Sequence, residues 1–358
     1  MAKISRREFL RAVAASMGAV ALNQFLSGCN SPIEETVFPT LAPTRSLDPT
    51  RTSAPLRGAT RTESSPTTTK TSEPASAPTE TSTPQPTMGV PDLAVARGGE
   101  PEDLLRRAMA ALGGIEQHVP KGANVIVKPN ICVAYHTYEY AATSNPWLVG
   151  ALVKMCFDAG AASVRVMDYP FGGTAKEAYA ISGIQEQVQA AGGEMAFMPG
   201  FKYKKVVIPN AQSLKETEIF DDILNADVLF NLPIAKTHSL AGLTLGMKNM
   251  MGVIRNRSAI HQKMGPRLAD LNGYLRPALT IIDAVRVLTA NGPTGGNLDD
   301  VKKMDTVIIS RDVVAADSYA ASTLFNMQPE SLSYIKSGAE AGVGRSDLQN
   351  LRIEELTL

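Results

Sequence analysis

The chain has 358 residues, equal numbers of acidic and basic side chains, and 44% hydrophobic residues. Balanced charge excludes a bulk basic field for nucleic acid, so no nucleic-acid partner is expected. The apolar residues are unevenly spread, and the biased amino end must be set aside before a fold is counted. The remainder, 89–358, is long enough to bury a large core as one domain or two closely joined lobes.

The chain opens MAKISRREFLRAVAASMGAVALNQFLSGC, with Lys3, Arg6, Arg7 and Arg11 ahead of a mild apolar run from Ala12 to Leu26. That run contains Asn23 and Gln24 and is short for a membrane span. SRREFLR resembles a twin-arginine export signal, and Leu26-Ser27-Gly28-Cys29 resembles a lipoprotein processing box with Cys29 as the lipidated residue. The expectation is a signal over 1–29, export through the twin-arginine machinery, and a lipid anchor at the extracytoplasmic face of the cell membrane. Residues 30–88 follow as a Thr/Pro/Ser-rich stalk. PTTTKTSEPASAPTETSTPQPT has no period and almost nothing to bury, which predicts disorder.

In 89–358 short β-branched runs alternate with helical patterns. DLAVARGG reads as a strand, PEDLLRRAMAAL as a helix with Pro101 in its first turn, and ANVIVKPN as a strand. SNPWLVGALVKMCFDAG reads as a helix capped by Ser144 or Asn145, and SVRVMDY as a strand. Residues 174–191 read as one helix, KKVVIP as a strand, ETEIFDDILN as a helix and DVLFNLP as a strand. RLADLNGYL reads as a short helix, ALTIIDAV and MDTVIIS as strands, and VVAADSYAASTLF as a helix. A helix near SLSYIKSGAEAG and the strand LRIEEL finish the chain. Strands without polar alternation, separated by helices, predict a mainly parallel sheet covered on both faces, an open α/β sandwich with a closed barrel as the alternative. Cys132 and Cys156 match no iron-sulfur or zinc spacing. They read as two buried thiols in preference to a disulfide.

Ligands of α/β sheets sit beyond the carboxyl ends of the strands. Lys128 and Asn130 end one predicted strand, Asp168 another, and Asn231 a third, with Lys236 and His238 just after it. Asp283 ends ALTIID, and Arg311 and Asp312 follow VIIS. All are expected on one rim. KTHSLAGLTLGMKNMMG at 236–252 carries the densest polar set. From Leu243 it reads as a helix, because Leu243, Met247, Met250, Met251 and Ile254 make one apolar stripe, with Thr244 and Lys248 on another face. The amino end of such a helix beside Lys236, Thr237 and His238 suits a carboxylate or phosphate. The alternative pairs Lys236 and Lys248 with Asp283 or Asp317 as salt bridges that hold the loop. His261, at the start of HQKMGPR, reads as a loop residue that joins the site. His136, in AYHTYEY, reads as part of a wall or lid. Phosphate-loop, HExxH, GxSxG and well-placed GxGxxG signatures are absent.

VIVKPN, LPIAKTHSLAGLTLGMKNMMG, IIDA, ANGPTGG and SRDVVAADSYA, in that order, resemble the recurring blocks of the family of unknown function DUF362, over Asp92 to Leu348. The resemblance carries across Lys128, Asn130, Lys236, His238, Thr244, Lys248, Asn249, Gly252, Asp283, Gly292, Pro293, Asp312 and Asp317. Many relatives add a ferredoxin-like segment whose cysteines this chain lacks, so an iron-sulfur cluster is not expected from it. Relatives also carry an acidic residue ahead of the Gly-Pro block, where this chain has Leu288, Thr289, Ala290 and Asn291.

Two functions fit these residues. In the first, an exported enzyme, redox-linked or metal-assisted, acts on a small anionic compound. Lys128, Asn130, Thr244, Lys248 and Asn249 would bind it, and His238, Lys236 and Asp283 would carry the chemistry. Asp283 and Asp317 would hold a divalent cation. In the second, a non-catalytic solute-binding or scaffold lipoprotein uses the same lysines for recognition alone.

Overall fold

Strand β1 (Leu93–Arg97) is followed by α1 (Pro101–Ala111), β2 (Asn124–Pro129), α2 (Pro146–Asp158), β3 (Ser163–Val166), α3 (Ala175–Ile181), α4 (Ile184–Ala190) and β4 (Glu194–Met195). A hairpin of β5 (Tyr203–Val207) and β6 (Glu216–Phe220) leads through α5 (Asp221–Leu224) to β7 (Val228–Leu232), β8 (Ile234–His238) and β9 (Gly242–Thr244). Then come α6 (Gly246–Asn249), α7 (Arg257–Gln262), α8 (Met264–Leu275), β10 (Leu279–Leu288), β11 (Val301–Ser310), α9 (Val313–Phe325), α10 (Ser333–Glu340) and β12 (Ile353–Thr357). These elements come from a computed structural model that describes residues 89–358. The expected signal, Cys29 and the stalk lie outside the described residues.

The sheet runs β12-β1-β11-β10-β7-β2-β3-β4, with β8 and β9 added alongside β10. Pairing is parallel from β10 through β7, β2 and β3 to β4, and also between β1 and β12. Only β11, on both its sides, and the β8–β9 hairpin are antiparallel among these pairs. The sheet has two edges and is an open sandwich, not a closed barrel.

Two cores follow from the period of two along each strand. Val125 and Val127 of β2 pack with Leu104 and Leu105 of α1 and Leu148 and Leu152 of α2. Ile126 packs on the opposite face, with Leu268 of α8, Val314 of α9 and Tyr334 of α10. Each such side chain contributes about 1.5–3 kcal/mol when fully buried. Alternation then sends Lys128 onto the face of Ile126. The same rule sends Asn231 there, because Leu229 lies in that core while Val228 and Phe230 lie in the other. Parallel register sets Lys128 directly beside Asn231.

Four expectations are corrected. The helix expected from Leu243 is instead a hairpin strand, the one-turn α6, and a 3-10 turn over Met250–Val253. Every residue from Leu243 to Ile254 is buried, polar and apolar alike, so the apolar spacing does not mark one buried face of a helix. ETEIFDDILN is half strand, because β6 pairs along its whole length with β5, and tertiary pairing overrides the helix propensity of glutamate. Residues 174–191 form two helices, broken at Gly183, whose φ of 75° no helix accepts. His261 lies inside α7, not in a loop. Cys132 and Cys156 are both buried free thiols.

Candidate functional site

β2, β3 and β7 end together, and the chain turns back over their carboxyl ends through the β8–β9 hairpin and α6. Asp168 lies just past β3, and its carboxylate is held by three donors. Ile131 N–H donates to Oδ2 at 2.6 Å, Tyr169 N–H to Oδ1 at 2.8 Å, and the Lys128 ammonium to Oδ1 at 2.8 Å. Lys128 also donates to Pro129 O at 2.9 Å and Asn249 Oδ1 at 3.0 Å. Its three acceptors match the three N–H bonds of an ammonium. Burial pushes Lys128 below its usual range and the Asp168 charge opposes that. The cationic form is the one this geometry serves.

Asn249 joins the strands. Its Oδ1 also accepts from Asn130 Nδ2 at 3.0 Å, and its Nδ2 donates to Asn231 Oδ1 at 2.9 Å. Asn130 Oδ1 accepts from Lys236 Nζ at 3.0 Å, and Lys236 also donates to Ala142 O at 2.7 Å. Gly252 closes the floor. A Cβ there would come within 2.5 Å of Lys128 Nζ and closer still to Asp168 Oδ1, so only glycine lets the backbone pass over this ion pair.

Above this network is a cavity of about 300 Å³. Lys128, Asn130, Lys236, His238, Thr244, Lys248 and Asn249 all line it, from β2, β8, β9 and α6. Asp168, Cys132, Arg257 and His261 line it too, and Tyr135, Phe171 and Leu240 supply apolar wall. Among the described residues, four basic side chains, Lys128, Lys236, Lys248 and Arg257, therefore face it against the single carboxylate of Asp168. Three polar atoms in its wall are buried without a hydrogen-bond partner: Thr244 Oγ1, Arg257 Nε and His261 Nε2. Arg257 is fixed by stacking on the Tyr169 ring at 4.5 Å and by donating to Tyr169 O at 2.8 Å. Each unpartnered buried polar atom costs roughly 1–3 kcal/mol unless something in the cavity meets it.

The histidines are neutral. His238 Nδ1 accepts from Leu240 N–H at 3.1 Å and Ala241 N–H at 3.2 Å, which puts the ring proton on Nε2. Burial first, then the Lys248 and Lys236 charges, drive His238 down to about 2, and burial with Lys248 and Arg257 drives His261 to about 4. His238 therefore offers a donor at Nε2, not a basic lone pair. The sign of the linkage is fixed: an unfolded histidine gains a proton below its ordinary value near 6.5 and the folded one does not. This group's stability is complete above pH 6.5 and lost as pH falls from there toward 2. His238→Gln is expected to lose about 2 kcal/mol less than the parent between pH 7 and pH 5, read as the difference in thermal unfolding.

The remaining rim residues lie elsewhere. β10 continues to Leu288, so Asp283 sits inside the strand, fully buried, and accepts from Asn145 N–H at 2.6 Å and Val285 N–H at 3.0 Å. Asp317, on α9, accepts from Gly246 N–H at 2.6 Å and Met247 N–H at 2.9 Å. Neither lines the cavity. Burial raises both carboxyls to about 7 against the pull of those amides. Among the described residues no group of three or more His, Cys, Asp or Glu is arranged around a metal position. Arg311 and Asp312 follow β11, which is antiparallel, so its carboxyl end lies at the opposite end of the sheet. Asp312 caps α9 there, accepting from Ala315 N–H. His136 stacks on Tyr140, and its neighbour Tyr135 is the one that reaches the cavity wall. Arg257 escaped the sequence reading. It directly follows Asn256, the cap that starts α7, and Tyr169 holds it in the cavity wall.

A family model, described as a domain of unknown function (DUF362), matches residues 125–322. Thylakoid-associated protein sll1697 of Synechocystis sp. is 24% identical over 248 residues, 67% of this chain and 74% of that protein. Among solved structures, the lactate racemase apoprotein from Thermoanaerobacterium thermosaccharolyticum aligns at TM-score 0.39 and 12% identity, over 60% of this chain and 53% of that one. A protein from Thermotoga maritima aligns at TM-score 0.37 and 12% identity, over 68% of this chain and 60% of that one. This chain thus spans 53% and 60% of those two structures.

Proposed function

The chain belongs to the DUF362 family, and from that premise we propose that its cavity takes up a small anionic compound at the extracytoplasmic face of a membrane. The observation that carries the reading is the meeting of Lys128, Lys236, Lys248 and Arg257 in one cavity with a single carboxylate, beside polar atoms that have no partner in the protein. Asp168 neutralises Lys128, and low local dielectric strengthens the Lys248 and Arg257 charges toward an anion. Lys128 and Asn249 act as frame, since their hydrogen bonds are spent on the protein. Thr244, His238, His261 and Arg257 supply the donors to the ligand, and Lys236 is the group placed for chemistry.

The route to the membrane rests on the paired arginines and Cys29, and a relative whose name places it at the thylakoid accords with it. Cys29→Ala is expected to move the protein from the membrane to the soluble fraction in cell fractionation. Retention at the membrane would overturn the anchor.

A binding-only role is favoured by one feature: His238 has no free basic nitrogen for proton abstraction. Both readings require anion uptake. In titration calorimetry with sulfate and with pyruvate, Arg257→Met is expected to weaken binding about tenfold, the loss of one charge-assisted hydrogen bond near 1.4 kcal/mol. Equal affinity in parent and variant would remove the anion reading. Mass and elemental analysis of protein from its native envelope identifies the compound that is carried.

A further inference from the structure

Three buried lysines, Lys128, Lys236 and Lys248, line this cavity, and the first two differ in the partners of their amino groups. Lys128 has three oxygen acceptors, one of them a carboxylate, and is saturated as an ammonium. Lys236 is as deeply buried, yet its oxygen acceptors are two and neutral, Asn130 Oδ1 at 3.0 Å and Ala142 O at 2.7 Å. Two acceptors satisfy both N–H bonds of a neutral amine and leave its lone pair over. The remaining direction is shared with the Cys132 thiol, a weak partner that the lysine also touches. No carboxylate is bonded to Lys236, and burial pushes it below its usual range.

The surroundings of Lys236 suit a carbonyl. The β8–β9 register sets Thr244 directly across from it, so both side chains leave the hairpin on one face. Thr244 Oγ1 is a buried hydroxyl of the cavity wall without a partner in the protein, on the same face of the hairpin as Lys236. Arg257, Lys248 and the His261 Nε2 complete the same cavity and are suited to a carboxylate.

We propose that Lys236 captures the carbonyl carbon of an anionic oxo compound of the 2-oxo acid class as an imine, with Thr244 bonded to the departing oxygen and the carboxylate held by the other cations. The assignment rests on the anion reading of the cavity and deepens it. The Nζ lone pair forms the C–N bond while the carbonyl π pair moves to oxygen. One proton passes from nitrogen to that oxygen, giving a carbinolamine. Loss of the oxygen as water leaves the imine, so one amine and one carbonyl give one imine and one water with no oxidant or reductant. Lysines of lowered proton affinity in apolar sites are suited to this step.

The test treats the full chain with pyruvate, and separately with phenylpyruvate, in the presence of cyanoborohydride, which reduces an imine to a stable secondary amine. Peptide mapping by mass spectrometry is expected to place the added group on Lys236, about tenfold above other lysine peptides. Lys236→Arg is expected to lose the label, and Cys132→Ala to keep it. Because the mapping is made on the parent protein, it stands even where a variant folds poorly. Calorimetric binding of either oxo acid with no label on Lys236 overturns the imine and leaves the anion reading intact. Neither binding nor label overturns both.

Discussion

Asp168→Asn is expected to destabilise the domain by about 3–5 kcal/mol, the cost of leaving one member of a buried ion pair without the other. Lys128 is 1% exposed and Asp168 4%, so bulk water compensates the lysine poorly. The variant also disturbs the N–H groups of Ile131 and Tyr169, which shape the chain after β2 and β3. Thermal or denaturant unfolding reads the loss. Sulfate supplies a second diagnostic. It is expected to restore more stability to the variant than to the parent, because an anion drawn to the cavity replaces part of the missing charge. Gly252→Ala reaches the same ion pair from the other side, by wedging a methyl group against Lys128 and Asp168. Unfolding midpoints within error of the parent for both variants would mean that the pair does not hold the floor of the site.

Asp317→Asn is the second large effect, and it separates support from contact. Its two oxygens receive consecutive amides, Gly246 and Met247, at the start of α6. An asparagine has one acceptor oxygen and turns an N–H toward the other amide, so a buried donor loses its partner at about 1–3 kcal/mol. α6 is a single turn carrying Lys248 and Asn249, and it has no other side-chain cap. We expect the variant to fold with reduced stability and to bind sulfate several-fold more weakly, although Asp317 does not line the cavity. Affinity unchanged alongside lowered stability would detach α6 from recognition.

Much of the candidate site was legible because parallel strands put their carboxyl ends on one side of the sheet. Lys128, Asn130 and Asp168 could be assigned to one rim from strand ends alone. Asp283 failed for want of a strand boundary. IIDAVRVL reads as ending at its first charge, yet the strand runs on and buries that charge under two amides. Arg311 and Asp312 failed because strand direction is not written in a strand's own residues. Arg257 was missed because α7 is a short polar helix whose first residue becomes buried only by stacking on Tyr169, a contact between segments 88 residues apart.

The sequence alone determined the alternation of apolar runs and helices, hence the open α/β sandwich and the side of the sheet on which polar residues gather. Its two-residue and 3.6-residue periods are local properties, and each run had only one economical way to bury its face. Tertiary structure decided the conformation of 242–254, the direction of β11 and the different fates of the lysines. Those depend on which partner lies across from a residue: a carboxylate beside Lys128, and only neutral oxygens and a thiol beside Lys236. No neighbour in sequence supplies that information, because the charge state of a buried group is set by what surrounds it in space.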